Sequence, residues 1–122
     1  TTMSVADKHG NYIGGVILPG LRVSLNSLSG KTAQLPYISL EVPDKVIGKN
    51  TIDCMRAGII FSNVDMIDGL LDRMEKELGE APTVIATGGL ARFITPLCRH
   101  TIIYDDALLL KGLLILYRKN TQ

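Results

Sequence analysis

The 122-residue chain has no tryptophan, and its aromatic side chains amount to four tyrosines and two phenylalanines. That leaves little with which to stack nucleobases. Its thirteen Lys and Arg against twelve Asp and Glu give a net charge of +1, too little to draw in nucleic acid or an anionic membrane. The two cysteines, Cys54 and Cys98, form no C-x-x-C pair and have no histidine at ligand spacing. They read as buried, reduced thiols, which makes a reducing cytoplasm the default compartment. The longest apolar run, Ala107 to Tyr117, is interrupted by Lys111. It falls well short of the ~20 residues a membrane span needs. His9, at a predicted hairpin tip, and His100, just before a strand, have no carboxylate or thiol at metal-ligand spacing, so no metal or catalytic role is read from them.

What the chain does have is apolar content, 46% of residues with a mean hydropathy of +0.22. That is rich for a small monomer and implies a partner surface. The opening Thr1-Thr2-Met3-Ser4-Val5-Ala6 reads as a strand already under way, so a fragment of a longer chain is expected. Two β-branched segments, 2–6 and 12–18, flank the turn cluster Asp7-Lys8-His9-Gly10-Asn11 and predict a hairpin. Leu21, Leu25, Leu28 and Thr32 recur at helical spacing and predict a helix over 21–34. An extended stretch is expected over 37–42. Asn50 or Thr51 then caps a long helix from Ile52 to Leu78, closed by Gly79. Its first four turns are apolar on most sides, so Ile52 to Ile67 is expected to bury a face against a second copy. Asp65 and Asp68 fall on its less apolar side, either exposed or polar at an interface. A strand over 83–87, a helix over 90–97, a strand over 101–104 and a helix over 107–119 complete an α/β order. Asp105 and Asp106 serve as caps for that last helix.

Three glycine-bearing segments carry the chemical signal. Gly88-Gly89 joins a strand to a helical pattern, a place where backbone and a phosphate-bearing nucleotide can approach closely. Gly14-Gly15 in the hairpin could pass close to phosphates, or could be a bulge or packing pair. Gly48-Lys49-Asn50-Thr51 forms a polar turn before the long helix. The Thr51 hydroxyl suits a substrate rich in hydroxyl and amide groups, and equally suits a helix cap. Lys49 reads as a solvated cation.

The succession Gly14-Gly15-x-Ile17-x-Pro19-Gly20, Ala33-x-Leu35-Pro36, Ile47-Gly48-Lys49-Asn50-Thr51 and Ala86-Thr87-Gly88-Gly89-Leu90 resembles the type III pantothenate kinases, which include the Bvg accessory factors. Asp106, Leu109, Gly112 and Leu113 are similar to that family's ending. The resemblance implies a ribonuclease-H-like domain of the actin, Hsp70 and sugar kinase group, with a mixed sheet flanked by helices. Residues 1–122 would form the C-terminal domain of a two-domain kinase, and the N-terminal catalytic half would lie outside this chain. The family's Asp-x-Gly-Asn-Thr and Gly-x-Asp-Arg motifs do not occur here, so no catalytic residue and no metal ligand is assigned.

By the same resemblance, Thr1 and Thr2 end a second phosphate motif, and with Gly14, Gly15, Gly88 and Gly89 they would line ATP. Thr51 would contact pantothenate bound by the neighbouring subunit. The implied reaction moves the γ-phosphoryl of ATP to pantothenate, with Mg²⁺ and a monovalent cation (K⁺ or NH₄⁺) as cofactors. The implied partners are pantothenate, ATP, the protein's own N-terminal domain and a second copy through the helix from Ile52 to Leu78. Alternatives are a non-catalytic dimerisation or regulatory module, and a kinase of the same group acting on another substrate.

Overall fold

The computed structural model describes residues 1–31 and 39–121, which fall into two compact units, 1–59 and 60–122. In the first unit, β1 (Thr2–Ala6) pairs antiparallel with β2 (Tyr12–Ile17). The Asp7 carboxylate closes the turn between them, accepting from the backbone N–H groups of His9 and Asn11, each at 2.8 Å, and from the Asn11 side chain at 3.0 Å. Val5 faces Gly14 while Ala6 faces Tyr12, so Ile13 is the extra residue of a β-bulge. After Pro19 the Gly20 carbonyl accepts from the Ser24 N–H and starts α1 (Leu21–Lys31), which buries Leu21 and Leu25 one turn apart. The expected continuation of α1 to Gln34, the Ala33–Pro36 motif and the first part of the 37–42 stretch lie outside the described residues. Residues 39–42 form no strand.

The long helix α2 (Thr51–Leu78) starts at Asn50. The Asn50 side-chain oxygen accepts from the Asp53 N–H at 2.9 Å, and its amide donates to the Asp53 carboxylate at 2.8 Å. The Asn50 carbonyl takes the first helical bond, from Cys54 N–H. Asn50 is therefore the cap, and Thr51 is the first helical residue. The helix ends at Gly79, whose φ of +77° and bond to the Glu75 carbonyl form a C-terminal cap.

In the second unit, β3 (Val84–Ala86) and β4 (Ile102–Tyr104) pair in parallel, with Ile85 beside Ile103. The crossover between them carries the four-residue α3 (Ala91–Ile94) and a 3₁₀ turn (Thr95–Leu97). The single helix expected over 90–97 breaks there because Pro96 has no N–H to donate and its ring crowds the preceding turn. The mixed sheet expected from sequence does not form among the described residues. The antiparallel hairpin and the parallel pair are two separate two-stranded sheets, each closed by its own local connection. The last helix, α4 (Leu108–Asn120), is entered through Asp105 alone, whose carboxylate accepts from the Ala107 N–H at 3.0 Å and pairs with Lys111 at 2.7 Å.

The side chains of α2 correct two expectations. Ile59, expected at a subunit contact, is 2% exposed, and Met55, Ala57, Ile60, Val64 and Leu71 are buried with it in the single chain. Helical periodicity identifies an inward stripe but does not distinguish a chain's own core from a second copy. Asp68, expected to be exposed or at an interface, is 6% exposed. Its carboxylate accepts from the backbone N–H groups of Arg99 (2.8 Å) and His100 (3.2 Å) and meets His100 Nδ1 at 2.8 Å. Asp72, one turn on, pairs with Arg99 at 2.7 Å and faces His100 Nε2 at 3.1 Å. The His100 ring thus sits between two carboxylates that are distant from it in sequence.

Candidate functional site

The turn before α2 and the helix start enclose an open cleft of about 570 Å³, lined by Leu28, Gly48, Lys49, Asn50, Thr51, Cys54 and Met55. The reason for glycine at position 48 is backbone proximity. A Cβ there would stand 2.7 Å from the Asp53 carbonyl carbon and 2.8 Å from Cys54 Cα, and closer still to the Cys54 nitrogen. Helix backbone cannot yield as a side chain can, so only glycine lets the turn lie against the helix start. With Asn50 occupied as the cap, the Thr51 hydroxyl makes no hydrogen bond among the described residues and is exposed on the cleft. The alternative reading of Thr51 as the cap is thereby answered: that task falls to its neighbour. Lys49 is also exposed at the cleft.

Cys54, expected to be buried, is exposed on the same cleft. Cys98 fits its expectation better. It is partly covered and donates to the Ile94 carbonyl at 3.4 Å. Burial, with the negative charges of Asp68 and Asp65 adding to it, pushes its thiol up to about 11.

The other glycines divide between the two units. In the first, a Cβ at Gly15 would collide with the Met3 carbonyl oxygen and stand 3.1 Å from Ser4 Cα, while Gly14 takes a φ of +134° beside the bulge. Hairpin packing at Gly15 and the positive φ at Gly14 therefore give each a structural reason. Thr1 exchanges backbone hydrogen bonds with Leu18, at 2.9 and 3.0 Å, and Thr2 opens β1. In the second unit, Gly88 has a φ of +107°, a conformation side-chain-bearing residues rarely adopt. The Tyr104 hydroxyl donates to its carbonyl at 2.8 Å and fixes the loop to the end of β4. A Cβ at Gly88 or Gly89 would meet no atom within 4 Å, so neither glycine is required by packing and the loop surface is open.

Electrostatics concentrate around α2 and the 98–100 segment. Burial pushes the Asp68 carboxyl up, but the N–H groups of Arg99 and His100 and the His100 ring outweigh it and hold the group below its ordinary value. The hydrogen bond from Arg99 likewise lowers Asp72, and the bond from Lys111 lowers Asp105. Nothing in the residues themselves points to the Asp68–His100 contact beyond carboxylates at positions 65, 68, 72 and 75 on one helix. Among the described residues no group of three or more His, Cys, Asp or Glu side chains is placed to hold a metal ion.

An α/β chain with a polar, glycine-built cleft at a long helix start and an open glycine loop after a parallel strand has the parts of a small-molecule binding domain. Comparison with known proteins narrows that class. The family model of type III pantothenate kinase matches residues 1–73. Type III pantothenate kinases of Bacillus cytotoxicus and Geotalea daltonii are each 42% identical to this chain, over 98% and 100% of it and 46% and 48% of their own length. That of Rhodospirillum rubrum is 45% identical over 98% of the chain and 47% of its own length. The chain belongs to the type III pantothenate kinase family and spans about half the length of the curated relatives it matches. A crystal structure of a conserved Baf-family protein of Campylobacter jejuni, described as a transcriptional activator, shares the fold. Its TM-score is 0.57 at 20% identity, covering 98% of this chain and 53% of that one.

Proposed function

We propose that this chain is the C-terminal half of an ATP-dependent pantothenate kinase, transferring the γ-phosphoryl of ATP to the pantothenate hydroxyl. The observation that carries the reading is the match to type III pantothenate kinases along nearly the whole chain at 39–45% identity. The Thr51 hydroxyl, open on the cleft and without a hydrogen bond among the described residues, supports a contact to pantothenate's hydroxyl and amide groups. Gly88 and Gly89, with open space where side chains would stand, support close approach of the adenosine side of ATP. Thr1, Thr2, Gly14 and Gly15 belong to the phosphate side of the same reading.

In this proposal the domain is ribonuclease-H-like and works in the cytoplasm with an N-terminal half that supplies the base. Phosphoryl transfer depends on positioning and on neutralising charge, for which Mg²⁺ and a monovalent cation are the expected helpers. The described residues offer no cluster to hold either ion, so neither is given a ligand or a step on this chain. The protein acts as a homodimer through α2, with Thr51 serving the neighbouring subunit's substrate. Because Ile59 is core, the contact falls on the exposed stripe of Cys54, Gly58, Ser62 and Asp65.

The test is transfer of labelled γ-phosphate from ATP to pantothenate by the full-length polypeptide. Labelled 4′-phosphopantothenate is expected, and residues 1–122 alone are expected to produce none. Full-length protein that binds ATP but leaves pantothenate unlabelled would overturn the reading, as would turnover by the isolated 122 residues.

A further inference from the structure

The glycine loop after β3 is held by hydrogen bonds and not by packing. Gly88 and Gly89 are both exposed, and a Cβ at either would meet no atom within 4 Å. Glycine also has more backbone freedom to lose than any other residue, so two in a row stay loose unless something ties them. Two donors from the end of β4 reach this region. The Asp105 N–H donates to the Ala86 carbonyl at 2.8 Å, and the Tyr104 hydroxyl donates to the Gly88 carbonyl at 2.8 Å. The first bond continues the strand ladder. The second, among the described residues, is the only side-chain hydrogen bond made to 87–90, and it secures Gly88 at its φ of +107°.

The geometry calls for a donor on a long side chain. Ala86 and Tyr104 stand side by side at the end of the parallel pair, and Gly88 lies two residues further on. At about 3.3 Å per residue, the donor must reach on the order of 7 Å, beyond the side chains of Ser, Thr or Asn. Tyrosine covers that span with only two side-chain torsions, so it loses little freedom in making the contact. We propose that Tyr104 is a positioning residue for ATP, its hydroxyl holding the glycine loop in the conformation that receives the adenosine side of the nucleotide. This rests on the reading of Gly88 and Gly89 as part of an ATP site. Without the hydroxyl the loop samples other conformations, and the apparent affinity for ATP falls by the fraction of molecules left in the competent one. One neutral hydrogen bond corresponds to roughly 2- to 12-fold.

The experiment compares full-length wild-type protein with Tyr104→Phe, which keeps the ring and deletes only the donor. The KM for ATP and the Kd for ATP alone are expected to rise together by roughly 2- to 12-fold, while kcat and the KM for pantothenate stay within about twofold. Tyr104→p-aminophenylalanine, whose amino group donates from the same place, should return both ATP constants close to wild type. An unchanged KM for ATP in Tyr104→Phe would overturn the proposal, as would an equal rise in the KM for pantothenate or a failed rescue. A Tyr104→Phe protein that does not fold would overturn it too, since the bond would then serve the fold itself. Gly89→Val separates the two levels of the reading. If it weakens ATP binding and Tyr104→Phe does not, the role of Tyr104 falls alone; if neither does, the nucleotide assignment of the loop falls with it.

Discussion

Replacing Thr51 and Asn50 separately by alanine in the full-length protein separates binding from folding at adjacent positions. Asn50 holds both of its side-chain bonds with Asp53, at 2.8 and 2.9 Å, so Asn50→Ala is expected to destabilise the fold by about 1 kcal/mol. The Thr51 hydroxyl makes no such bond among the described residues and lines the cleft, so Thr51→Ala is expected to change stability by less than about 0.5 kcal/mol. If the hydroxyl contacts pantothenate, its loss removes one neutral hydrogen bond of about 0.5–1.5 kcal/mol, or roughly 2- to 12-fold in kcat/KM for pantothenate. The KM for ATP should not move, and Thr51→Ser should retain most of the wild-type value. Thermal unfolding and steady-state kinetics on the same preparations measure both quantities. The reasoning fails if Thr51→Ala melts like Asn50→Ala while its kcat/KM for pantothenate equals wild type.

Three further outcomes follow from the geometry. Gly89→Val should leave the melting temperature within about 2 °C, because its side chain enters open space, yet raise the KM for ATP at least tenfold; an unchanged KM counts against the nucleotide assignment. Asp68→Ala strips the acceptor from the Arg99 and His100 N–H groups and should cost about 3 kcal/mol in chemical denaturation. Because Asp68 is held below its unfolded value near 3.9, its contribution is fully present above that pH and lost as pH falls through the lower folded value. Wild-type stability should therefore decline more steeply than that of Asp68→Ala below about pH 4, and parallel curves would contradict the assignment. Finally, a thiol reagent at pH 8 should modify Cys54 quickly and Cys98, raised to about 11, slowly; Cys54→Ser should abolish the fast phase.

Much of the local structure was legible in the residues themselves. The β-branched runs around Asp7–Asn11, the apolar period of α2, the polar Asn50-Thr51 start and the Gly79 cap are short-range signals, and each element formed where they point. The misreadings concern what lies far away in sequence. Asp68 looked like a surface residue because its partners, Arg99 and His100, are 31 and 32 positions on. Ile59 looked like an interface residue because a periodic stripe says which side is inward and not whose atoms cover it. Cys54 looked buried by residue type, whereas the helix start leaves it on the cleft. The Gly48-Lys49-Asn50-Thr51 turn was recognised as a site, but the division of labour between Asn50 and Thr51 emerged only from their hydrogen bonds.

The contact of Gly48 with the α2 main chain has a consequence for redesign. One wall of the recess is peptide rather than side chain, so its contour hardly depends on which amino acids surround it. Widening or narrowing the recess must therefore be done through side chains of its lining, such as Leu28 and Met55. A library randomised at position 48 should yield mostly unfolded clones, while one randomised at 28 should return altered ligand preference.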